Sequence, residues 1–268
     1  MKIQVQPARF LRRYKRFFAD VELPSGETVV CHVANSGSLK TCLTEGADCL
    51  ITPAADPERK LRYSLRAIKG ELGWIGVDTS VPNEIVWELY EKRRLADWAR
   101  YSFAQREVKI SDESRIDLVL WNPSLKVATE KTSKKAESKP NPSRLKFPDY
   151  FDAGHQLRFI EVKNVTLMHG NVASFPDGVT ERGQKHLDEL MRLKSMGHEA
   201  EIFFTVQREG VGSFRPAEDI DPVYARKLDE ARRAGVVIRV HPWTGLQNWA
   251  TAPEVELSLD VTELPIKM

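Results

Sequence analysis

The chain has 268 residues, of which 41% are hydrophobic and 29% charged, with a formal net charge of +2. This length and apolar content provide one large or two small globular cores that fold unaided. The near-balanced charge gives no global sign of a polyanion binder, so any such partner must be argued from where the charges sit.

Taken in order, residues 1–20 carry six basic side chains against the single acid Asp20, with Phe10, Tyr14, Phe17 and Phe18 interleaved. The segment lacks the apolar run of a signal peptide, and no stretch of the chain reaches membrane-spanning length. Residues 16–68 read as short strands, FFADVEL, ETVVCHV, TEGADCLIT and LRYSLRAI, broken by PSG and by the polar corner Asn35, Ser36, Gly37 and Ser38. Strands at this spacing predict a small barrel or sandwich. The three cysteines, Cys31, Cys42 and Cys49, form no CxxC pair, which favours a reducing cytoplasmic setting over a disulfide framework or a zinc site, with Cys31 read as a small buried residue.

From Pro82 the period changes. Ile85, Val86, Leu89 and Tyr90 recur at helical spacing over PNEIVWELYEKRR, with Asn83 read as the helix cap. The predicted boundary divides the chain into domains at 1–81 and 82–268. The second alternates strands (AQREVKI, SRIDLVL, QLRFIEVK, EIFFTVQ, VVIRVH) with two helices, VTERGQKHLDELMRLKSMG and DPVYARKLDEARRAG, an α/β pattern. Gly183 within the first of these helices predicts close packing against a neighbour, and Gly197 predicts its end. Between SRIDLVL and QLRFIEVK, a Lys-, Ser- and Pro-rich insertion over about 122–156 is predicted to be an exposed hairpin excursion. Residues 122–146 hold seven basic residues and two acids.

In the strand FIEVKNV, Glu161 and Lys163 are two apart and share a face, while Val162 lies on the other. In SRIDLVL, Asp117 shares a face with Val119 and Trp121. If the two strands are antiparallel neighbours, Asp117 and Glu161 converge and leave room for a hard cation bound by oxygen ligands. By itself Asp, a long gap and Glu-x-Lys is a weak motif, equally satisfied by a surface ion pair.

The blocks RYKRFFADVELPSGETVVCHVANSGSL, SRIDLVL, FIEVKNVTL and FPDGVTERGQKHLDEL resemble, in order, those of the SfsA (sugar fermentation stimulation) family. The resemblance implies an OB-like barrel followed by an α/β PD-(D/E)XK nuclease-like domain in a DNA-binding protein associated with sugar metabolism regulation. It places Asp117 and Glu161 as metal-binding acids, Lys163 as the lysine that closes the motif, Glu88 as a helix acid serving as a further metal ligand, and Gln184 as a catalytic-site glutamine. Glu107 also falls at a family carboxylate position. Ala34 departs from the family's usual proline.

Phosphodiester hydrolysis needs an activated water and relief of charge on phosphate, which two acids holding Mg2+ or Mn2+ and a nearby lysine supply. Phosphate contacts are expected from Arg12, Arg13, Lys15, Arg16, Asn35, Ser36 and Lys185, with Tyr14 offering a ring for base stacking. One of Phe17 and Phe18 is expected in the barrel core. His186 is expected to be a hydrogen-bonded structural residue. Two readings remain open: a metal-dependent nuclease, or a non-catalytic DNA-binding regulator that uses the nuclease fold as a platform.

Overall fold

The computed structural model describes residues 1–56, 58–111, 114–122, 156–245 and 254–268. Most of the insertion expected at 122–156 lies outside these described residues.

After a short β1 (Lys2–Gln4), the chain forms β2 (Gln6–Tyr14), β3 (Phe18–Glu22), β4 (Thr28–His32), β5 (Asp48–Pro53), β6 (Tyr63–Gly70) and β7 (Gly73–Gly76), in sheet order β4-β3-β2-β5-β6-β7. A parallel pairing of β4 with β6, Cys31 against Tyr63 and His32 against Ser64, closes the first five of these into an OB-like barrel. Alternate residues fill it, Ala8 and Phe10 from β2, Ala19 and Val21 from β3, Cys49 and Ile51 from β5, joined by Leu65 and Ile68 of β6, which are three apart because the β5–β6 register shifts between Leu50 and Ile51. Cys31 and Cys49 belong to this core, where burial pushes both thiols up to about 12. All three cysteines are free and buried.

The helix expected from Pro82 is α1 (Val81–Glu91). Beyond it β8 (Phe103–Lys109), β9 (Arg115–Trp121), β10 (Arg158–Val165), β11 (Leu167–His169), β12 (Val172–Phe175), α2 (Glu181–Ser195), β13 (Glu199–Val206), β14 (Ser213–Pro216), α3 (Pro222–Arg233), β15 (Val237–Thr244), β16 (Glu254–Glu256) and β17 (Ser258–Leu259) complete the described elements. The main sheet runs β17-β15-β13-β10-β9-β8, parallel across β10, β13 and β15 and antiparallel across β8, β9 and β10. Leu187, Leu190 and Leu193 of α2, with Tyr224 and Leu228 of α3, cover one face. Ile85, Val86 and Leu89 of α1 cover the other. This is the layered α/β arrangement that the alternation of periods predicts. No helix of the described residues is long and apolar enough to cross a membrane.

Gly183 allows α2 to approach α3. A Cβ there would meet the Thr180 side chain at 2.8 Å and Tyr224 Cε2 at 3.2 Å. The two parts of the chain also share contacts. β1 pairs with β16, and Ile3, Val5, Leu50 and Trp74 join the α1 side of the sheet in one apolar cluster. The buried Arg208 sends Nη1 to the carbonyl oxygens of Thr41 (3.2 Å) and Thr166 (2.9 Å), tying the end of β13 to the barrel.

Candidate functional site

β9 and β10 pair antiparallel with Ile160 opposite Leu118, and the same register carries Glu161 to Asp117. Leu118, Leu120, Ile160 and Val162 pack on the α1 side, so the intervening Asp117 and Glu161 fall on the side that α2 covers. The antiparallel convergence expected from the sequence is present.

Asp117 is held by neutral donors: its Oδ1 accepts from Asn83 Nδ2 at 3.0 Å and its Oδ2 from the Val162 N–H at 2.8 Å. Burial first, and the neighbouring Glu161 second, push its carboxyl up to about 7. Burial also acts to raise Glu161. Lys163 and His186 more than offset it, so this carboxyl lies below its ordinary value and is ionised at neutral pH. Lys163 Nζ donates to Glu161 Oε1 at 2.6 Å, and His186 Nδ1 contacts the same oxygen while lying 3.0 Å from Lys163 Nζ. The other oxygen, Glu161 Oε2, is buried with no hydrogen-bond partner among the described residues.

These side chains line a cleft of about 420 Å³, and its opposite wall comes from the barrel: Asn35, Ser36 and Gly37 face Asp117, Glu161, Lys163 and His186 across it. The wall is fixed by Asp177, in the FPDG turn before α2. Asp177 Oδ2 accepts from Ser38 Oγ (3.1 Å) and from the Leu39 N–H (3.2 Å). Gly37 lies so close to this turn that a Cβ would come within 2.7 Å of Asp177 Oδ2.

Several expected site residues lie elsewhere. Glu88 takes the α-amino group of Met1 and Lys92, each at 2.5 Å, and does not line the cleft. Gln184 is turned to Asp221, donating at 3.0 and 3.1 Å, because Asp221 is left acceptor-rich as the N-cap of α3. Lys185 borders a second groove with Glu107, Lys109, Arg115 and Glu189, which meets the first at Arg182 and His186. Glu107 pairs there with Arg115 at 3.6 Å. Asn83 is not the cap of α1, which begins at Ser80 without a side-chain cap. Its amide serves Asp117 instead.

On the barrel, Arg13 is not available to a phosphate. Its guanidinium donates to the carbonyl oxygens of Arg16 (2.7 Å), Gly37 (3.0 Å), Ser38 (3.2 Å) and Asn35 (2.7 Å), holding the corner in shape. The Asn35 side chain is buried between the Val77 carbonyl and the Gly37 N–H, so only its position on the wall is retained. Tyr14 stacks on Phe18 with ring centroids 5.6 Å apart and has the Arg12 guanidinium 5.4 Å from its centroid, so the ring already has two partners within the protein. Of the two phenylalanines, Phe18 is half-buried and Phe17 is 45% exposed. Arg12, paired with Asp20 at 2.7 Å, is exposed, as are Lys15, Arg16 and Ser36.

His186, Asn83 and Asp177 are the site residues whose roles sequence reasoning missed. His186 and Asp177 belong to the block FPDGVTERGQKHLDEL, and that was the available signal.

Among the described residues no three His, Cys, Asp or Glu side chains gather as a cation cage. Mg2+ does not require one, because it keeps several waters and uses one or two carboxylates. Two facing acids, one with an orphaned oxygen, fit such an ion.

Two family models match: the SfsA N-terminal OB domain over residues 11–77 and the sugar fermentation stimulation protein RE domain over 123–244. A sugar fermentation stimulation protein homolog of Bdellovibrio bacteriovorus is 44% identical over 275 residues, covering 99% of this chain and 98% of its own. One of Geotalea uraniireducens is 41% identical, covering 89% and 90%. The solved structure of Pyrococcus furiosus SfsA in complex with Ca2+ superposes with a TM-score of 0.76 at 25% identity over 100% of this chain and 98% of that one. With the barrel, the sheet and these matches all in the same order along the chain, the protein belongs to the SfsA family.

Proposed function

We propose that this protein binds DNA through its phosphates and hydrolyses a phosphodiester bond at Asp117, Glu161 and Lys163 with a divalent cation. The observation that carries the reading is the orphaned Oε2 of an ionised, buried Glu161 beside Asp117, in a cleft walled by the OB-like barrel. An uncompensated buried carboxylate oxygen is costly, and a hydrated divalent cation in this polar cleft would remove the cost while matching the charge of two neighbouring acids. The Ca2+ named with the Pyrococcus relative, another oxygen-seeking divalent ion, agrees with a cation site in this fold.

Asp117 and Glu161 would hold Mg2+ or Mn2+. When bound, the ion supplies Lewis-acid charge to the phosphodiester and lowers the pKa of a water. Lys163, 13% exposed and held on Glu161 Oε1, lines the cleft and would offset charge as phosphorus becomes pentacoordinate. The barrel wall at Ser36 and Gly37 and the tip residues Lys15 and Arg16 provide contacts to flanking phosphates.

The test is cleavage of single-stranded, duplex and branched DNA with Mg2+ or Mn2+. Wild type is expected to cut. Asp117→Asn should stop cutting while DNA binding persists, and Lys163→Ala should cut at least about 10²-fold more slowly. One observation favours the alternative, a regulator with a silent cleft: Gln184 is turned away from the cleft to Asp221. No cleavage of any substrate, with DNA binding intact in wild type and variants alike, would establish that alternative.

A further inference from the structure

His186 lies on the sheet-facing side of α2 with Gly183, Leu187 and Leu190, and is 8% exposed. Few other positions on α2 could send a polar group to β10. Its ring meets Glu161 at Oε1, the oxygen that Lys163 also contacts, and leaves Oε2 alone. An ionised carboxylate oxygen can only accept, so the contact with Glu161 calls for the ring proton on Nδ1, and the 3.0 Å approach of the Lys163 ammonium to that nitrogen is then one between two donors that share Oε1. Oε1 thus receives two donors from two different elements, β10 and α2, which define the rotation of the carboxylate. A single donor would leave it free to turn and exchange its oxygens.

We infer that His186 is the positioning residue of the cation site: by donating to Glu161 Oε1 it fixes the carboxylate so that Oε2 alone is offered to a divalent ion. The inference rests on the cation site of the reading above and adds a residue to it. Lys163 by itself does not do this, because its ammonium rides on the same strand and on a flexible stem. His186 ties the carboxylate to a helix whose start is anchored by Thr180, which accepts from the Gly183 N–H at 3.1 Å. In this arrangement His186 is an outer partner of the ion and not a ligand. Such partners are typically worth about 10- to 100-fold in metal affinity.

The experiment uses the full chain and Mn2+ alone, without DNA. Titration calorimetry should give a His186→Ala affinity about 10- to 100-fold below wild type. His186→Asn, whose amide N–H falls near the place of Nδ1, should recover most of the loss, and Glu161→Gln should bind no Mn2+. Thermal melts without metal check folding. Should alanine unfold the protein, His186→Leu fills the same space without a donor and gives the same comparison. A filler role alone predicts that leucine rescues and asparagine does not. Unchanged affinity in His186→Ala, nitrogen hyperfine coupling to Mn2+ from the imidazole in pulsed EPR, or no Mn2+ binding by wild type would each overturn the inference. Failure of the nuclease reading is separate, since cleavage can be absent while the Mn2+ pattern holds.

Discussion

β10 carries two buried ionic clusters, one at its start and one at its middle, and they are built in opposite ways. At its start Arg158 donates to Asp97 (2.5 Å), Glu199 (2.7 Å) and Glu201 (3.1 Å), and Arg239 closes the group from β15 by reaching Asp97 (2.5 Å) and Glu201 (2.9 Å). Burial raises Glu201 to about 7, with Arg239 and Arg158 pulling it down. With guanidinium nitrogens on both of its oxygens, we regard the ionised form as the one this geometry supports. Farther along, Asp117 accepts only from an amide and a backbone N–H, the charged neighbour that acts on it most strongly is another acid, Glu161, and an oxygen of that acid has no hydrogen-bond partner among the described residues. In the first cluster every buried acid faces a guanidinium of the protein, although Glu201 Oε1 and Arg239 Nε, 2.9 Å apart, are not aligned as a hydrogen bond; in the second an acid faces an acid, and an outside cation would supply the opposite charge. Both clusters are buried and ionic, so under the proposed function the kind of partner is what would separate a structural cluster from a functional one.

The sharpest way to break this comparison is to remove one member of the closed cluster. Arg158→Met removes the guanidinium from Glu201 Oε2 and from Glu199, leaving Arg239 to face Glu201 and Asp97 alone, and should lower stability by about 3–5 kcal/mol, seen as a shifted denaturant midpoint. Divalent cations should not restore it. If millimolar Mg2+ did restore it, the distinction between the two clusters of β10 would fail.

Asp117→Asn should act in the opposite direction. A carboxyl raised from 3.8 to about 7 binds its proton more tightly folded than unfolded. The stability it contributes is therefore complete below about pH 4 and is lost as pH climbs through about 7. Without metal, the Asn variant should be more stable than wild type at pH 8 by up to on the order of 4 kcal/mol, with the gap closing near pH 4. Mg2+ should stabilise wild type and leave the variant's midpoint unmoved. Paired pH-dependent melts with and without Mg2+ measure both effects, and equal pH profiles would show that Asp117 is not strained.

Residues near in sequence, or related by a strand's period of two, were legible: Glu161 and Lys163 on one face, Asp117 across an antiparallel pairing, Gly183 at a close helix crossing. Strand β2 was not legible, because Pro7 and the run of arginines obscure its alternation even though Ala8 and Phe10 point inward. Nor were the links made over long separations. Asn83 reaches Asp117, Asp177 reaches Ser38 and Leu39, and Gln184 turns to Asp221, none of which any spacing rule encodes. Arg13 was misread for a related reason. A corner without regular structure leaves carbonyl groups to satisfy, and the nearest arginine is consumed by them.

That correction makes a third prediction. Arg13→Ala should release the Asn35–Ser38 wall, lower stability by about 1–3 kcal/mol and weaken DNA binding only through the cleft's altered shape. Arg13→Lys should rescue little, since one ammonium cannot serve four carbonyls in this fork. Denaturant titration of both variants decides it, and full rescue by lysine would mean that charge alone matters at this position.

The smallest effect on stability belongs to Lys15 and Arg16, at the tip of the β2–β3 hairpin. Both adopt left-handed backbone, with φ of 47° and 62°, and the Arg16 carbonyl is held by Arg13 Nε. Their side chains are exposed, and the described structure gives them no ion pair, unlike Arg12 with Asp20. Each is therefore free to meet a phosphate. Replacing both with Gln should leave stability within about 0.5 kcal/mol, because exposed substitutions away from packing rarely do more. DNA affinity should fall, and if both side chains contact phosphates the slope of log affinity against log salt should flatten by about 0.9 for each contact on duplex DNA. A salt titration on two unrelated duplexes separates this from base recognition, since phosphate contacts weaken both sequences alike. An unchanged slope would move the binding surface off the hairpin tip, leaving the cleft wall at Ser36 and Gly37 as the part of the barrel that meets DNA.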